Sequence, residues 1–449
     1  MVATIAGALA KVKDELPRMI EHHVIEYLAE HPDWDWRRRL LDPVTTTFLF
    51  TTQAPHGNTA INHLRRLSGM DFTATAYCQA RARLPLELLQ AVCDGVTRQL
   101  LAESDDTCRW RGHRVWRGDA TSFSMPDTPE LQQQFGQPGA QLPGCGFPVS
   151  TLLSLCNAAG FITKTLALPL RTHEASQIAT LHDQLQPGDV LVYDRAGCSY
   201  VHLSLISQRN LHAILRMHQK QIVSFRPGRK HARQFPTKQR KGKPTSQWLQ
   251  RLGKRDQLVR WFKPQDKPKR MSQQEYDALP ESIVVRELRY QVRRRGYRTR
   301  TVTLVTTLLD PQQYPARELA EQYYSRWEIE TNFRHLKTTM GMDVLKCKTV
   351  GGVLKELAVF VLVYNLVRLV MLRASERQKA PLDRISFIDA LRWLCDARDT
   401  GELLDLIVNP KRSGRVEPRV IKRRSKEYDL MKRPRQELRQ ALLNERLAA

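Results

Sequence analysis

Near residue 111 the apolar residues change their spacing from the helical period to the strand period, and the order of elements after that point narrows the fold. HRVWRGDATSFSMPD reads as a strand running into a loop, and FPVSTLLSLCNAAGFITKTLALPL as a hairpin turning at NAAG. HEASQIATLHDQL reads as a helix and PGDVLVYD as a short buried strand; a helical YVHLSLISQ and a further strand, LHAILRM, follow.

Three strands in a meander, then helix, strand, helix and strand, is the order of a ribonuclease-H-like α/β core. Residues 1–110 read as a helical N-terminal region, with amphipathic runs such as IEHHVIEYLAEH. Within it, TAINHLRRLSGMDFTATAYCQARARLP fits a helix-turn-helix whose second helix carries Gln79, Arg81 and Arg83; an ordinary helical bundle fits it equally. The first part of the core spans 111–217. Residues 218–309 form a basic, β-rich insertion, and the core resumes at 310–375. The remainder, 376–449, is a helical and basic C-terminal region that includes IKRRSKEYDLMKRPRQELRQ.

The chain carries 71 Lys and Arg against 46 Asp and Glu, a formal charge of +25 spread along its 449 residues. Such an excess points to a polyanion partner. A membrane surface is the other candidate, but the most apolar run, LAVFVLVYNLVRLVML, is interrupted by Asn365 and Arg368 and reads as a buried core helix. The N-terminus lacks the pattern of a signal peptide, so a cytoplasmic protein is expected. Eight scattered cysteines without a CxxC pair imply neither a zinc site nor a disulfide framework.

Two acidic residues sit where strands are expected to end: Asp119 after RVWRG, and Asp194 after VLVY. Functional groups gather at such positions in open α/β sheets. Asp127, beyond Pro126, and Asp189, in the entering PGD turn, are less well placed. A third carboxylate comes from YYSRWEIETNFRHLKTTMG, Tyr323 to Gly341, which reads as one helix. Its Tyr323, Arg326, Glu330 and Lys337 fall within a sector of about 60°. Ile329, Phe333, Leu336 and Met340 form an adjoining apolar face, while Glu328 points away.

Converging carboxylates repel one another unless cations sit between them, and hard oxygen ligands suit Mg²⁺ or Mn²⁺. Two such ions held by Asp119, Asp194 and Glu330 would suit in-line displacement at a phosphodiester. On that reading Arg326 and Lys337 hold neighbouring phosphates, with Arg334 adding basic charge and Tyr323 hydrogen-bonding the nucleic-acid backbone. A solvated helix face with an Arg326–Glu330 pair is the plainer alternative.

The spacing Tyr323-x2-Arg326-x3-Glu330-x6-Lys337 resembles the signature of the DDE transposases of bacterial insertion sequences, specifically the insertion-sequence-4 family. GDAT around Asp119, YDRAG around Asp194 and the β-rich insertion before the Glu330 helix are similar to that family too, over roughly 111–375. The resemblance implies a double-stranded DNA partner: the enzyme binds terminal inverted repeats, pairs two ends as a homodimer, nicks to expose a 3′-hydroxyl and joins that end to target DNA. Some members pass through a hairpin, aided by an aromatic residue that traps a flipped base, and Trp261 is the candidate here. A nuclease of the same fold, a tyrosine recombinase and a non-catalytic DNA-binding regulator are the competing readings.

Overall fold

The computed structural model describes residues 5–36, 39–105, 108–139, 141–221, 223–228, 242–269, 271–293, 299–395, 405–410 and 431–448. The basic run RKHARQFPTKQR and the segment IKRRSKEYDL lie outside the described residues.

Five helices come first: α1 (Ile5–Glu30), α2 (Pro43–Gln53), α3 (Ile61–Ser68), α4 (Ala74–Arg83) and α5 (Leu86–Ser104). Side-chain caps from Asp42 and Thr73 start α2 and α4. Next are β1 (Arg109–Trp110), β2 (His113–Ser124), α6 (Pro129–Phe135), β3 (Val149–Asn157), β4 (Ile162–Pro169), β5 (Val190–Tyr193), α7 (Tyr200–Gln208) and β6 (His212–Arg216). Then β7 (Thr245–Gly253), β8 (Asp256–Phe262), α8 (Gln273–Asp277), β9 (Ser282–Val292) and β10 (Arg300–Thr306) lead back to helix. The last elements are α9 (Ala316–Ser325), α10 (Trp327–Arg334), α11 (Val350–Gln378), α12 (Phe387–Cys395) and α13 (Arg435–Ala448).

The strands form one mixed sheet in the order β4-β3-β2-β5-β6-β10-β9-β8-β7, with β1 paired to β2. β2, β3 and β4 make the antiparallel meander, and β5 and β6 add parallel to β2. Because β10 pairs antiparallel with β6, the strands between 245 and 306 extend the same sheet. Strand β5 is buried on both faces: Leu191 and Tyr193 pack with α7, and Val190 and Val192 pack with Leu319 and Tyr323 of α9. That explains its uninterrupted apolar run.

Helix α11 is the central helix of the largest core cluster. It is long and apolar enough to cross a membrane, and 89% of its most apolar window is buried inside the protein. The polar residues that interrupt its sequence have partners there. Asn365 exchanges two hydrogen bonds with the backbone of Ile162, at 2.9 and 2.8 Å, and Arg368 Nε donates to the Ala159 carbonyl at 3.0 Å. They staple α11 to the hairpin between β3 and β4, which turns at NAAG as expected. Gly160 in that turn has φ +84°, and a Cβ there would lie 2.6 Å from the Arg368 guanidinium.

Two expectations are corrected. HEASQIATLHDQL forms two short 3₁₀ segments, Glu174–Ser176 and Ile178–Gln184, where an α-helix was expected. The Tyr323–Gly341 helix is also not uniform. It tightens at Arg326, where i→i+3 bonds run from Arg326 N–H to Tyr323 O and from Ile329 N–H to Arg326 O, and it widens into a π-helical turn over His335–Thr339. Its apolar face is buried as the spacing predicts, through Ile329, Phe333, Leu336 and Met340.

Candidate active site

Strand register brings the two aspartates together. Arg117 of β2 pairs in parallel with Val192 of β5, and carrying that register two residues onward sets Asp119 abreast of Asp194. Strand alternation puts Asp119 on the face shared by Val115 and Arg117, and Asp194 on the face of Val192. Helix α9 covers that face. Asp119 is not at a strand end, as the sequence suggested: β2 runs on to Ser124 because β3 pairs with it throughout. It is β5 that ends there, leaving the β5-side edge of β2 open beyond Arg117.

The junction between α9 and α10 enters this notch. Arg326 Nη1 donates to Asp119 Oδ2 at 2.6 Å, and Nη2 donates to Glu330 Oε1 at 2.9 Å. Asp119 Oδ1 accepts from the Ala120 N–H at 2.9 Å, while Asp194 Oδ1 caps the turn after it, accepting from the Ala196 N–H at 2.7 Å. The Glu330 side chain is 41% exposed and that of Asp119 only 16%. Burial raises the Asp119 carboxyl above the usual carboxylate range; Arg326 opposes the rise, and Asp194 and Glu330 add to it. Burial acts to lower Arg326, but Asp119, Tyr323 and Glu330 outweigh it and hold the guanidinium charged.

Two carboxylates on one guanidinium, with Asp194 abreast of Asp119, suit a hard divalent ion in donor chemistry. Among the described residues, only His22, His23 and Glu26 on α1 bring three ligand atoms within 4.8 Å of one another. Arg326 stands between Asp119 and Glu330 and donates to both.

Several supporting residues had no signal in the sequence. The Tyr193 ring packs over Gly118, where a Cβ would approach to 2.4 Å, and the Tyr193 hydroxyl donates to Glu174. One buried side chain thus touches the residue before Asp119 and precedes Asp194 in the chain. Behind the Asp194 turn, His202 Nδ1 donates to the Gly197 carbonyl at 2.7 Å, so its Nε2 accepts from His182 Nε2 at 2.8 Å. Arg117, buried, bonds Ser325 and pairs with Glu328 at 2.8 Å, which accounts for Glu328 facing away from the carboxylates. Asp127 and Asp189 are committed elsewhere, to Arg435 at 2.9 Å and to Arg114 and Trp116 at 2.9 and 2.8 Å.

Four other site expectations change. Tyr323 is 6% exposed and packs against β5 and β6, so it supports the notch from below and does not face a nucleic-acid backbone. Arg326 is spent on carboxylates. Arg334 is exposed, but it lines a cavity of about 630 Å³ with Glu328, His335 and Arg368, away from Asp119 and Asp194. Trp261 is 1% exposed within β8, and its Nε1 donates to Glu287 at 3.0 Å; a side chain so enclosed has no free face on which a base could stack. In the N-terminal helices α3 and α4 form the expected pair, yet Arg81 turns inward to Gln53, Cys347 and the Phe50 ring, leaving Gln79 and Arg83 exposed. Lys337 remains at the notch, its Nζ donating to Thr121 Oγ1 at 3.2 Å.

Residues 111–366 match the family model described as Transposase DDE domain. Transposase InsG for insertion sequence element IS4, from Escherichia coli (strain K12), is 25% identical over 374 residues, covering 79% of this chain and 77% of that protein. Among solved structures, the piggyBac transposase synaptic complex with hairpin DNA aligns with a TM-score of 0.40 at 9% identity, over 78% of this chain and 69% of that one.

Proposed function

Because the chain belongs to the DDE transposase family, in its insertion-sequence-4 branch, we propose that it cuts DNA at the terminal inverted repeats of an insertion sequence and transfers the exposed 3′ end to target DNA. The observation that carries this reading is the register that sets Asp119 and Asp194 abreast on the face where Glu330 enters. The strand order from β2 to β6 supports a ribonuclease-H-like core over 111–217 and 310–375, with 218–309 inserted between them.

Asp119, Asp194 and Glu330 would hold two Mg²⁺ ions, or Mn²⁺ in their place, supplying Lewis acidity to activate a water or 3′-hydroxyl and to stabilise the leaving oxygen. Arg326, by donating to both Asp119 and Glu330, positions these two carboxylates relative to each other. Lys337, one helix face along, contacts the DNA backbone. The charge of +25 makes DNA binding steeply salt-dependent. The protein acts in the bacterial cytoplasm and pairs two ends as a homodimer.

The test is incubation of wild-type protein with Mg²⁺ and DNA carrying the element's ends. Nicking at the ends followed by joining supports the proposal. Nicking without joining points to a nuclease, and binding without either points to a regulator.

A further inference from the structure

Beyond the four residues of the helix signature, the notch holds a hydroxyl aimed along the same face. Thr121 lies two residues past Asp119 on β2, so its side chain shares the aspartate's face, about 6.6 Å further along the strand. At this point β2 pairs only with β3, because the pairing with β5 stops at Arg117. The Thr121 side chain is therefore half-exposed in the open part of the notch. The wide π-turn at His335–Thr339 brings Lys337 Nζ to Thr121 Oγ1 at 3.2 Å.

In that contact the ammonium donates and the hydroxyl oxygen accepts. Among the described residues, the Thr121 O–H has no acceptor. It therefore presents a neutral donor next to a cation, beside a cluster of carboxylates that cannot themselves bind an anion. One charged and one neutral donor on adjacent elements suit a single phosphate diester: the ammonium balances charge and the hydroxyl fixes orientation.

We propose that Thr121 is a substrate-binding residue, and that its hydroxyl and Lys337 together grip the DNA phosphate next to the one being cut. This rests on the transposase reading above. The scissile phosphate sits at Asp119, Asp194 and Glu330, and the neighbouring phosphate is held one strand repeat away. The grip fixes where along the DNA strand the cut falls.

The experiment compares wild type, Thr121→Val and Thr121→Ser in single-turnover cleavage of end DNA. Each is assayed on unmodified DNA and on DNA with an uncharged methylphosphonate at the phosphate adjoining the scissile one. Valine keeps the branched shape and strand preference of threonine while removing the hydroxyl, and serine keeps the hydroxyl. Thr121→Val is expected to cleave unmodified DNA about tenfold more slowly, as the loss of one hydrogen bond to a charged group implies. On methylphosphonate DNA its deficit should shrink to about twofold or less, and Thr121→Ser should stay near wild type on both. A Thr121→Val enzyme as fast as wild type overturns the proposal. So does an equal deficit on both DNAs, which would mean that the hydroxyl acts only within the protein. Failure of wild type to cut end DNA at all would instead count against the transposase reading.

Discussion

Two of the buried arginines, Arg286 and Arg326, meet their carboxylates in different ways. Arg286 of β9 is fully enclosed: Nε and Nη2 grip both oxygens of Asp256 at 2.8 and 2.5 Å, and Nη1 donates to the Tyr314 carbonyl at 2.6 Å. Arg326 divides its fork between Asp119 and Glu330, and its buried Nε has no partner. One pair is closed, with one carboxylate matched to one guanidinium. The other is open, with two carboxylates sharing one cation and one of them, Glu330, partly exposed at the rim. A closed pair fixes β8 against β9, whereas an open one can exchange partners. The difference separates an arginine that joins two strands of the sheet from one that bridges strand β2 and helix α10 at the candidate site.

The largest consequence falls on the closed pair. Asp256→Ala leaves Arg286 charged and buried, so it should destabilise the protein by about 3–5 kcal/mol, read from chemical denaturation. Glu330→Gln at the open pair should change stability by no more than about 1 kcal/mol, because that carboxylate is partly in water. Equal losses at the two sites would erase the distinction.

A second closed network lies behind Asp194, in His182 and His202. Burial lowers His182 to about 3 and His202 to about 4, from an ordinary value near 6.5. The unfolded chain therefore takes up protons that the folded chain refuses. Their contribution to stability is present above pH 6.5 and is lost as pH falls from there toward 4, by about 1.4 kcal/mol per pH unit for each histidine. Replacing His182 with Phe should flatten the fall in melting temperature over that range. An unchanged slope would show that these rings are not what resists protonation.

The smallest effect concerns the open pair directly. If Arg326 occupies carboxylates that a cation can also use, Arg326→Gln should bind Mn²⁺ about tenfold more tightly than wild type by electron paramagnetic titration, as loss of a nearby like charge implies. Weaker binding would mean that Arg326 assembles the site instead of competing for it.

Much of this arrangement could be read from the residue pattern. The period change at 111, the NAAG hairpin and the apolar VLVY run gave the strand order, and the helix spacing gave the face on which Arg326 meets Glu330. What stayed hidden depends on partners distant in the chain. Asp119 looked terminal because it follows RVWRG in a stretch that reads as a strand running into a loop, yet β3 carries the strand past it. The tightening at Arg326 and the π-turn are set by docking against β2 and leave no mark in side-chain spacing. Trp261 shows why an aromatic residue in a strand is ambiguous: only the enclosure by Glu287 and its neighbours distinguishes a core ring from a stacking platform. Thr121 and Tyr193 were invisible for the same reason, since their meaning comes from Lys337 and Gly118 across the fold.

The measurement to make is cleavage and joining of end DNA in Mg²⁺ by wild type and Glu330→Ala, with end binding followed in parallel. Wild type should cut and join. The variant should bind DNA as tightly while both steps fall by at least about 10²-fold, since several kcal/mol of charge stabilisation at the reacting phosphate depends on that carboxylate. A Glu330→Ala protein that cuts and joins at the wild-type rate would show that the open pair is only structural and that the chemistry lies elsewhere.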